Sequence, residues 1–354
     1  MNADAVPADW SEITPAWMTA ALARDLPGTE VATVEVVSRD DGTNRRARLG
    51  LTYRTGTGPD VVFVKGEGAW RESHARNGNM FNEPLLFASR LDLPVDHPHP
   101  YHAAIDRPAQ DYVIVMEDLT RRGADPRDAT RPMTVAQVEH GVRQLARLHS
   151  AYWDLDPNHP GLEWLQPWAP TAGWKASLGP GLAVGRARVP ELLPAELRGR
   201  TDDELLDWCM RSMATFGQEH HTLLHADPHI GNTYVLPGDR VGFLDWQVCR
   251  RGNWAQDLAY FLVSALTIED RRESEEGLLN AYLDALEVPA EGRPTIDDVR
   301  LRVAAAHPYS LVVWLTTHQS DRAQRPEVCR ALIAAYGAAM ADSRSADALD
   351  RLGA

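Results

Sequence analysis

The segment LLHADPHIGNTYVLPGDRVGFLDWQ, Leu223–Gln247, carries more chemistry than any other part of the chain. Two apolar pieces, Thr233–Leu236 and Val241–Leu244, flank Pro237-Gly238-Asp239, and this pattern reads as a hairpin. Asp227 stands before the hairpin with Asn232 five residues further on, and Asp245 follows it directly. That spacing gathers a carboxylate, an amide and a second carboxylate around one end of the hairpin. Phosphoryl transfer needs such a set. One Asp accepts or orients the proton of an attacking hydroxyl, while an Asn and an Asp supply hard oxygen ligands to Mg²⁺. A rival reading takes His225, Asp227 and His229 as the ligands of a metal-dependent hydrolase. Turn capping alone also accounts for an isolated Asp or Asn.

Upstream, Asp60–Val64 reads as a buried strand that delivers Lys65 at its end, where a phosphate-pairing lysine belongs. A helix over Asn82–Leu91 tolerates Pro84 in its first turn and brings Glu83 within reach of Lys65 as an ion-pair partner. Around these lie a short helix starting at Thr14-Pro15, strands over Val31–Ser38 and Ala47–Arg54, an irregular His- and Pro-rich stretch over Asp92–Pro100, and a strand over Asp111–Glu117. Beyond Leu119 the pattern turns helical. Val135, Val138, Val142, Leu145, Leu148 and Tyr152 mark one helix face, and further helices are expected over 202–220, 254–266, 275–286, 297–318 and 326–342. Residues 155–194 read as loops with short helices; Trp153, Trp164, Trp168 and Trp174 crowd this region, as packing or as the wall of an acceptor pocket. The expectation is a small α+β lobe over 1–119 and a larger, mainly helical lobe over 120–354.

On these residues the chain resembles the aminoglycoside phosphotransferase and choline-kinase-like superfamily, including its ecdysteroid-kinase-like branch. The resemblance rests on His225–Asn232, Phe243-Leu244-Asp245-Trp246, Val64-Lys65, Glu83, Val115–Leu119 and Leu145–His149. It implies a bilobal protein-kinase-like fold, with a small antiparallel-sheet lobe, that phosphorylates a hydroxyl of a small molecule with ATP and Mg²⁺. It further implies a nucleotide-covering loop at Gly42-Thr43-Asn44, adenine contacts from Glu117 to Leu119, and support of the catalytic loop by His225 and Asp257. Ala226 stands where the family commonly has Gly. Gln247 replaces a second acid that the family commonly carries near the metal, which removes one charge there. A nucleotide-binding pseudokinase is the remaining alternative, with Gln247 as its only support.

Composition narrows the partners. The 354 residues hold 36 Lys and Arg against 50 Asp and Glu, a net charge of −14. So acidic a chain lacks the positive field that nucleic acids and anionic membranes require. It suits a cationic acceptor such as an aminoglycoside or amino alcohol, while the tryptophans suit a polycyclic or nucleoside-like alcohol. Cys209, Cys249 and Cys329 form no paired motif, so neither a disulfide framework nor a thiolate metal site is indicated. The start Met1-Asn2-Ala3-Asp4 lacks the basic and apolar regions of a secretion signal, and the longest apolar runs are far too short to span a bilayer. The expected setting is the cytoplasm.

Overall fold

The computed structural model describes residues 3–354; Met1 and Asn2, part of the start considered above, lie outside the described residues. Helix α1 (Pro15–Leu22) begins as its sequence dictates, with the Thr14 hydroxyl accepting from the Trp17 N–H and Pro15 at the first position. Strands β1 (Glu30–Asp41) and β2 (Asn44–Thr55) run further than the apolar pattern indicates. Their extra length is polar ladder: Asp40 pairs with Arg46 and Asp41 with Arg45, opposite charges facing each other across the hairpin. β3 (Val61–Glu67) holds Lys65 inside the strand rather than beyond its end.

Two helices follow where one was expected. α2 (Arg71–Asn77) has no buried residue and ends at Gly78 in the left-handed region, so no apolar face announces it. α3 (Asn82–Ser89) carries Glu83 and Pro84 in its first turn. β4 (Pro100–Asp106), also unexpected, is an edge strand that starts on a proline and is bulged near His102. β5 (Asp111–Glu117) completes a five-stranded antiparallel sheet of order β1-β2-β3-β5-β4. Its apolar run is continuous because both faces are covered. Val113 and Val115 pack with Trp17, Met18 and Leu49 on one side, while Tyr112, Ile114 and Met116 join Leu86 and Phe87 on the other.

The remainder is helical, with small strands set into it. The elements are β6 (Asp125–Pro126), α4 (Val135–Ala151), α5 (Ala172–Ala187), α6 (Ala195–Arg198), α7 (Asp202–Thr215), β7 (His221–Leu224), β8 (Thr233–Leu236), β9 (Arg240–Phe243), β10 (Arg250–Asn253), α8 (Ala255–Ala265), α9 (Ile268–Ala285), α10 (Ile296–Thr317), α11 (Pro326–Asp342) and α12 (Ser345–Arg351). Along α4 the expected face is buried from Val138 to Leu148, and a capping box of Thr134 and Gln137 fixes its start. α5 contradicts the expected loops. Gly and Pro lower its intrinsic propensity, but a Cβ on Gly185 would stand 1.7 Å from the Leu315 carbonyl oxygen, so glycine is what lets α5 press against α10. Among the described residues no helix is long and apolar enough to cross a membrane. The ends of the strands β7, β8 and β9 adjoin the residues singled out in the sequence around Asp227 and Asp245.

Candidate active site

β7 runs into the loop that starts at His225. Ala226 adopts φ +66°, a left-handed conformation that strains any residue with a Cβ and explains why glycine suits this place. The loop is held there by Asp257 at the start of α8, whose carboxylate accepts from the His225 N–H at 2.7 Å and the Ala226 N–H at 2.8 Å. The Gln256 amide donates to the Ala226 carbonyl at 2.8 Å. Behind Asp257 stands His149 of α4, with Nε2 at 3.5 Å from its carboxylate and Nδ1 at 2.7 Å from the Tyr282 hydroxyl. The LARLH stretch of α4 thus braces the loop from the core.

His225 is buried, and burial lowers its pKa, so the ring is neutral. A tautomer protonated at Nε2 satisfies both nitrogens: Nε2–H donates to the Leu244 carbonyl at 3.0 Å, and Nδ1 accepts from the Asp227 N–H at 3.3 Å. His229 is neutral as well, its pKa lowered to about 4 by burial, with Nδ1 accepting from the Gly231 N–H at 3.0 Å. Both nitrogens of His225 are thus engaged within the loop, while His229 keeps Nδ1 on the Gly231 N–H and has Nε2 3.8 Å from the Asp227 carboxylate. Among the described residues no group of three or more His, Cys, Asp or Glu side chains is placed to hold an ion.

Asp227 and Asn232 do come together. The Asn232 amide donates to the Asp227 carbonyl at 2.9 Å and to its carboxylate at 3.0 Å. About a third of the Asp227 side chain (36%) faces an open cleft, yet its surroundings and the charge of Asp245 raise its pKa well above the usual carboxylate range, against the Asn232 hydrogen bond. A short 3₁₀ turn over Ile230–Asn232 and the β8–β9 ladder carry the chain to Asp245, and the Leu244 N–H donates to the Asn232 carbonyl at 2.9 Å. Asp245 also has a left-handed backbone, φ +64°.

Lys65 Nζ lies 2.6 Å from Glu83 and 2.9 Å from Asp245, so one buried ammonium joins the sheet, α3 and the hairpin. Burial opposes the charge of Lys65, but the two carboxylates outweigh it and raise its pKa. Burial likewise opposes ionisation of Asp245, and Lys65 outweighs it, lowering the pKa. At Glu83 burial prevails and the pKa is raised, despite Lys65 and the Trp246 N–H, which donates to it at 3.2 Å. These residues line a cavity of about 170 Å³ whose far wall is Met116–Thr120. The Glu117 N–H is committed to the His99 carbonyl, whereas the Leu119 N–H opens a 3₁₀ turn, where helical geometry leaves donors unpaired.

Gly42, Thr43 and Asn44 are not among the residues lining this cavity. Gly42 and Thr43 form the β1–β2 turn, and Asn44 opens β2 with its buried amide donating to the Tyr112 hydroxyl at 3.0 Å. Arg46 and Arg48 of β2 line it instead, Arg48 bonded to Asp118 at 2.9 Å. Sequence reasoning missed both, since an arginine on a strand gives no local signal of the cleft it faces.

Because Asn232 uses its amide nitrogen on Asp227 and Asp245 uses one oxygen on Lys65, each has one oxygen left. Two hard oxygens at the same end of one hairpin fit Mg²⁺, which is bound through few protein ligands together with substrate phosphates. A second cavity, of about 240 Å³, opens on Asp227 from another side. Of the four tryptophans in question, Trp168 and Trp174 line it; Trp153 stacks on His220, and Trp164 bonds the Gly161 carbonyl. Tyr260, Tyr309, Arg250 and Asn79 also line it, and none of these is legible as a site residue in the sequence.

The family model described as "Phosphotransferase enzyme family" matches residues 49–295. No curated protein matches the sequence. Among solved structures, a spectinomycin phosphotransferase in complex with ADP and spectinomycin is 11% identical over 92% of this chain and 97% of its own, with a TM-score of 0.54. A choline kinase from Streptococcus pneumoniae is 16% identical over 94% and 98%, with a TM-score of 0.46. An amicoumacin kinase in complex with AMP-PNP and Ca²⁺ is 17% identical over 90% and 88%, with a TM-score of 0.45. At 11% identity the first likeness establishes a shared fold. The family match covers most of the chain and includes every residue from Lys65 to Asp257, and it shows that the protein belongs to the phosphotransferase enzyme family and is a small-molecule kinase.

Proposed function

We propose that the protein transfers the γ-phosphoryl group of ATP to a hydroxyl of a small acceptor, with Asp227 as base and with Asn232 and Asp245 as the protein ligands of Mg²⁺. The observation that carries this reading is the junction at Lys65 Nζ. One buried cation, 2.6 Å from Glu83 and 2.9 Å from Asp245, stands at the mouth of a cavity, while Asp227 faces a second cavity across the same hairpin. The first accommodates a nucleotide: Lys65 pairs with the α- and β-phosphates, Glu83 holds Lys65 in place, and the Glu117 carbonyl with the Leu119 N–H meets the adenine edge. The second accommodates the acceptor. Residues 1–119 form the nucleotide lobe in this reading, and residues 120–354 the catalytic and acceptor lobe.

In the reaction the acceptor oxygen forms a bond to the γ-phosphorus, the bond from that phosphorus to the bridging oxygen of ADP breaks, and the hydroxyl proton passes to Asp227. A raised pKa suits that task, because a base that holds its proton more firmly receives one more readily. Mg²⁺, when bound, neutralises charge on the phosphates. Positioning supplies the rest. Asp257 and His149 fix the backbone that carries Asp227, and Asn232 fixes its carboxylate.

Calorimetric titration with AMP-PNP, with and without Mg²⁺, tests the reading on wild type and Asp245→Ala. Binding that requires both Mg²⁺ and Asp245 is expected. Absence of binding by the wild type overturns the proposal. A pseudokinase would bind AMP-PNP yet give no phosphate mass gain on any hydroxylated acceptor; the intact set of Lys65, Asp227, Asn232 and Asp245 speaks against it.

A further inference from the structure

The acceptor cavity differs in charge from what the net charge of −14 suggests. Among the described residues Asp227 is the only carboxylate on its walls, and the proposed reaction already occupies it. A polycationic acceptor would require further acids to pair its amines, and none of the described residues supplies one to the cavity. The one other charged side chain there among the described residues is Arg250, the first residue of β10. Its side chain makes no ion pair and no hydrogen bond among the described residues, whereas most arginines in this protein are paired. Burial lowers its pKa, as expected for a cation set in a wall without a counter-ion.

A second polar group is also left over. Asn79 is 7% exposed, lines the same cavity, and its side-chain oxygen is buried without a hydrogen-bond partner. A buried polar atom without a partner is rare in a folded protein and points to something that completes it. Aromatic rings line the same cavity. Trp168 and Tyr309 meet edge to face with centroids 5.3 Å apart, and Trp174 lies tilted against Tyr309 at 6.2 Å. Such rings hold a flat molecule by area and stacking. They also attract cations, but a guanidinium without a counter-ion in the same cavity repels a second positive charge, and direct repulsion outweighs a ring quadrupole. At about 240 Å³ the cavity is below the range of roughly 300–1,000 Å³ usual for drug-sized ligands.

Building on the phosphotransferase reading, we propose that the acceptor is a flat, hydroxylated molecule of one or two rings carrying a carboxylate that pairs with Arg250, and not a polyamine or quaternary ammonium. The hydroxyl lies at Asp227, the ring system against Trp168, Trp174 and Tyr309, and the carboxylate at Arg250, with Asn79 beside it, its amide N–H donating to the carboxylate and its oxygen open to a ligand N–H or O–H.

The test uses three matched probes: a hydroxymethyl-naphthoate, its primary amide and the corresponding aminomethyl compound. Each is titrated into the full-length protein with AMP-PNP and Mg²⁺ present, and tryptophan fluorescence reads the binding. The carboxylate is expected to bind about tenfold or more tighter than the ammonium probe, a margin typical of a charge-assisted pair. Arg250→Gln removes that margin, and Arg250→Lys restores part of it, which a merely structural arginine would not do. Ammonium binding by wild type as tight as carboxylate binding overturns the proposal, as does the absence of saturable carboxylate binding up to about 10 mM. Because AMP-PNP binding is read separately, its loss in wild type marks failure of the phosphotransferase reading instead.

Discussion

The two cavities beside the hairpin are built on opposite principles. Around Lys65 the charges are already matched, with Glu83 and Asp245 on one ammonium and Arg48 on Asp118. On the other side the Arg250 side chain and the Asn79 side-chain oxygen have no partner among the described residues. A buried charge without its partner is costly, so the matched side is rigid in the absence of any ligand, while the unmatched side gains most when a ligand arrives. In the proposed reading, one side is prepared for a fixed reactant and the other is where specificity would reside.

Asp227, which lines the unmatched cavity and stands across the hairpin from Lys65, gives the largest expected effect. Asp227→Asn lowers turnover by about 10²–10⁴-fold, the usual contribution of a general base, with AMP-PNP binding retained; product formation followed by mass measures it. The same substitution has a pH signature. Folding raises the Asp227 pKa, so the fold favours its protonated form; the linked stability is fully present below the unfolded value near 3.9 and is lost as pH rises through the folded value. The Asn variant therefore melts above wild type at pH 8, and the gap narrows towards pH 4. A wild type that melts higher at pH 8 contradicts the assignment.

Next come the matched groups. Glu83→Ala breaks a buried pair and leaves Lys65 to Asp245 alone, with an expected loss of about 3–5 kcal/mol of unfolding free energy in urea titrations. Asp257→Ala strips the acceptor from two buried N–H groups, those of His225 and Ala226, with an expected loss of about 3 kcal/mol and of turnover as the loop relaxes. At the unmatched side the comparison predicts the reverse. Asn79→Ala removes an oxygen that already lacks a partner, so unfolding free energy changes by no more than about 0.5 kcal/mol. A loss comparable with that of Glu83→Ala would show that the two cavities do not differ as described.

The catalytic hairpin was legible because its chemistry is local. Asp227, Asn232 and Asp245 lie within 25 residues of sequence, and turn residues alone bring them to one end of a two-stranded ladder. Lys65 and Glu83 needed only a strand and a helix with recognisable apolar patterns. β4 and α5 were not legible, for specific reasons. Prolines and histidines mask β4 as an edge strand. The glycines of α5 have the composition of a loop, and only the approach of Leu315 of α10 to Gly185 gives them a helical purpose. Asp257 was named through family resemblance; the hydrogen bonds that give it a job join residues more than thirty apart.

The sequence by itself determined the fold class and the grouping of Asp227, Asn232 and Asp245 at one end of a hairpin, because short-range spacing places those three before any packing occurs. Tertiary structure alone decided the acceptor side. Asn79 follows α2, Trp168 comes from the chain leading into α5 and Trp174 from its first turn, Arg250 opens β10, and Tyr260 and Tyr309 belong to α8 and α10. No spacing rule links segments so far apart along the chain. Net charge is a property of the whole surface, whereas the charge of a pocket depends on which few side chains packing turns inward, and here packing selected an arginine.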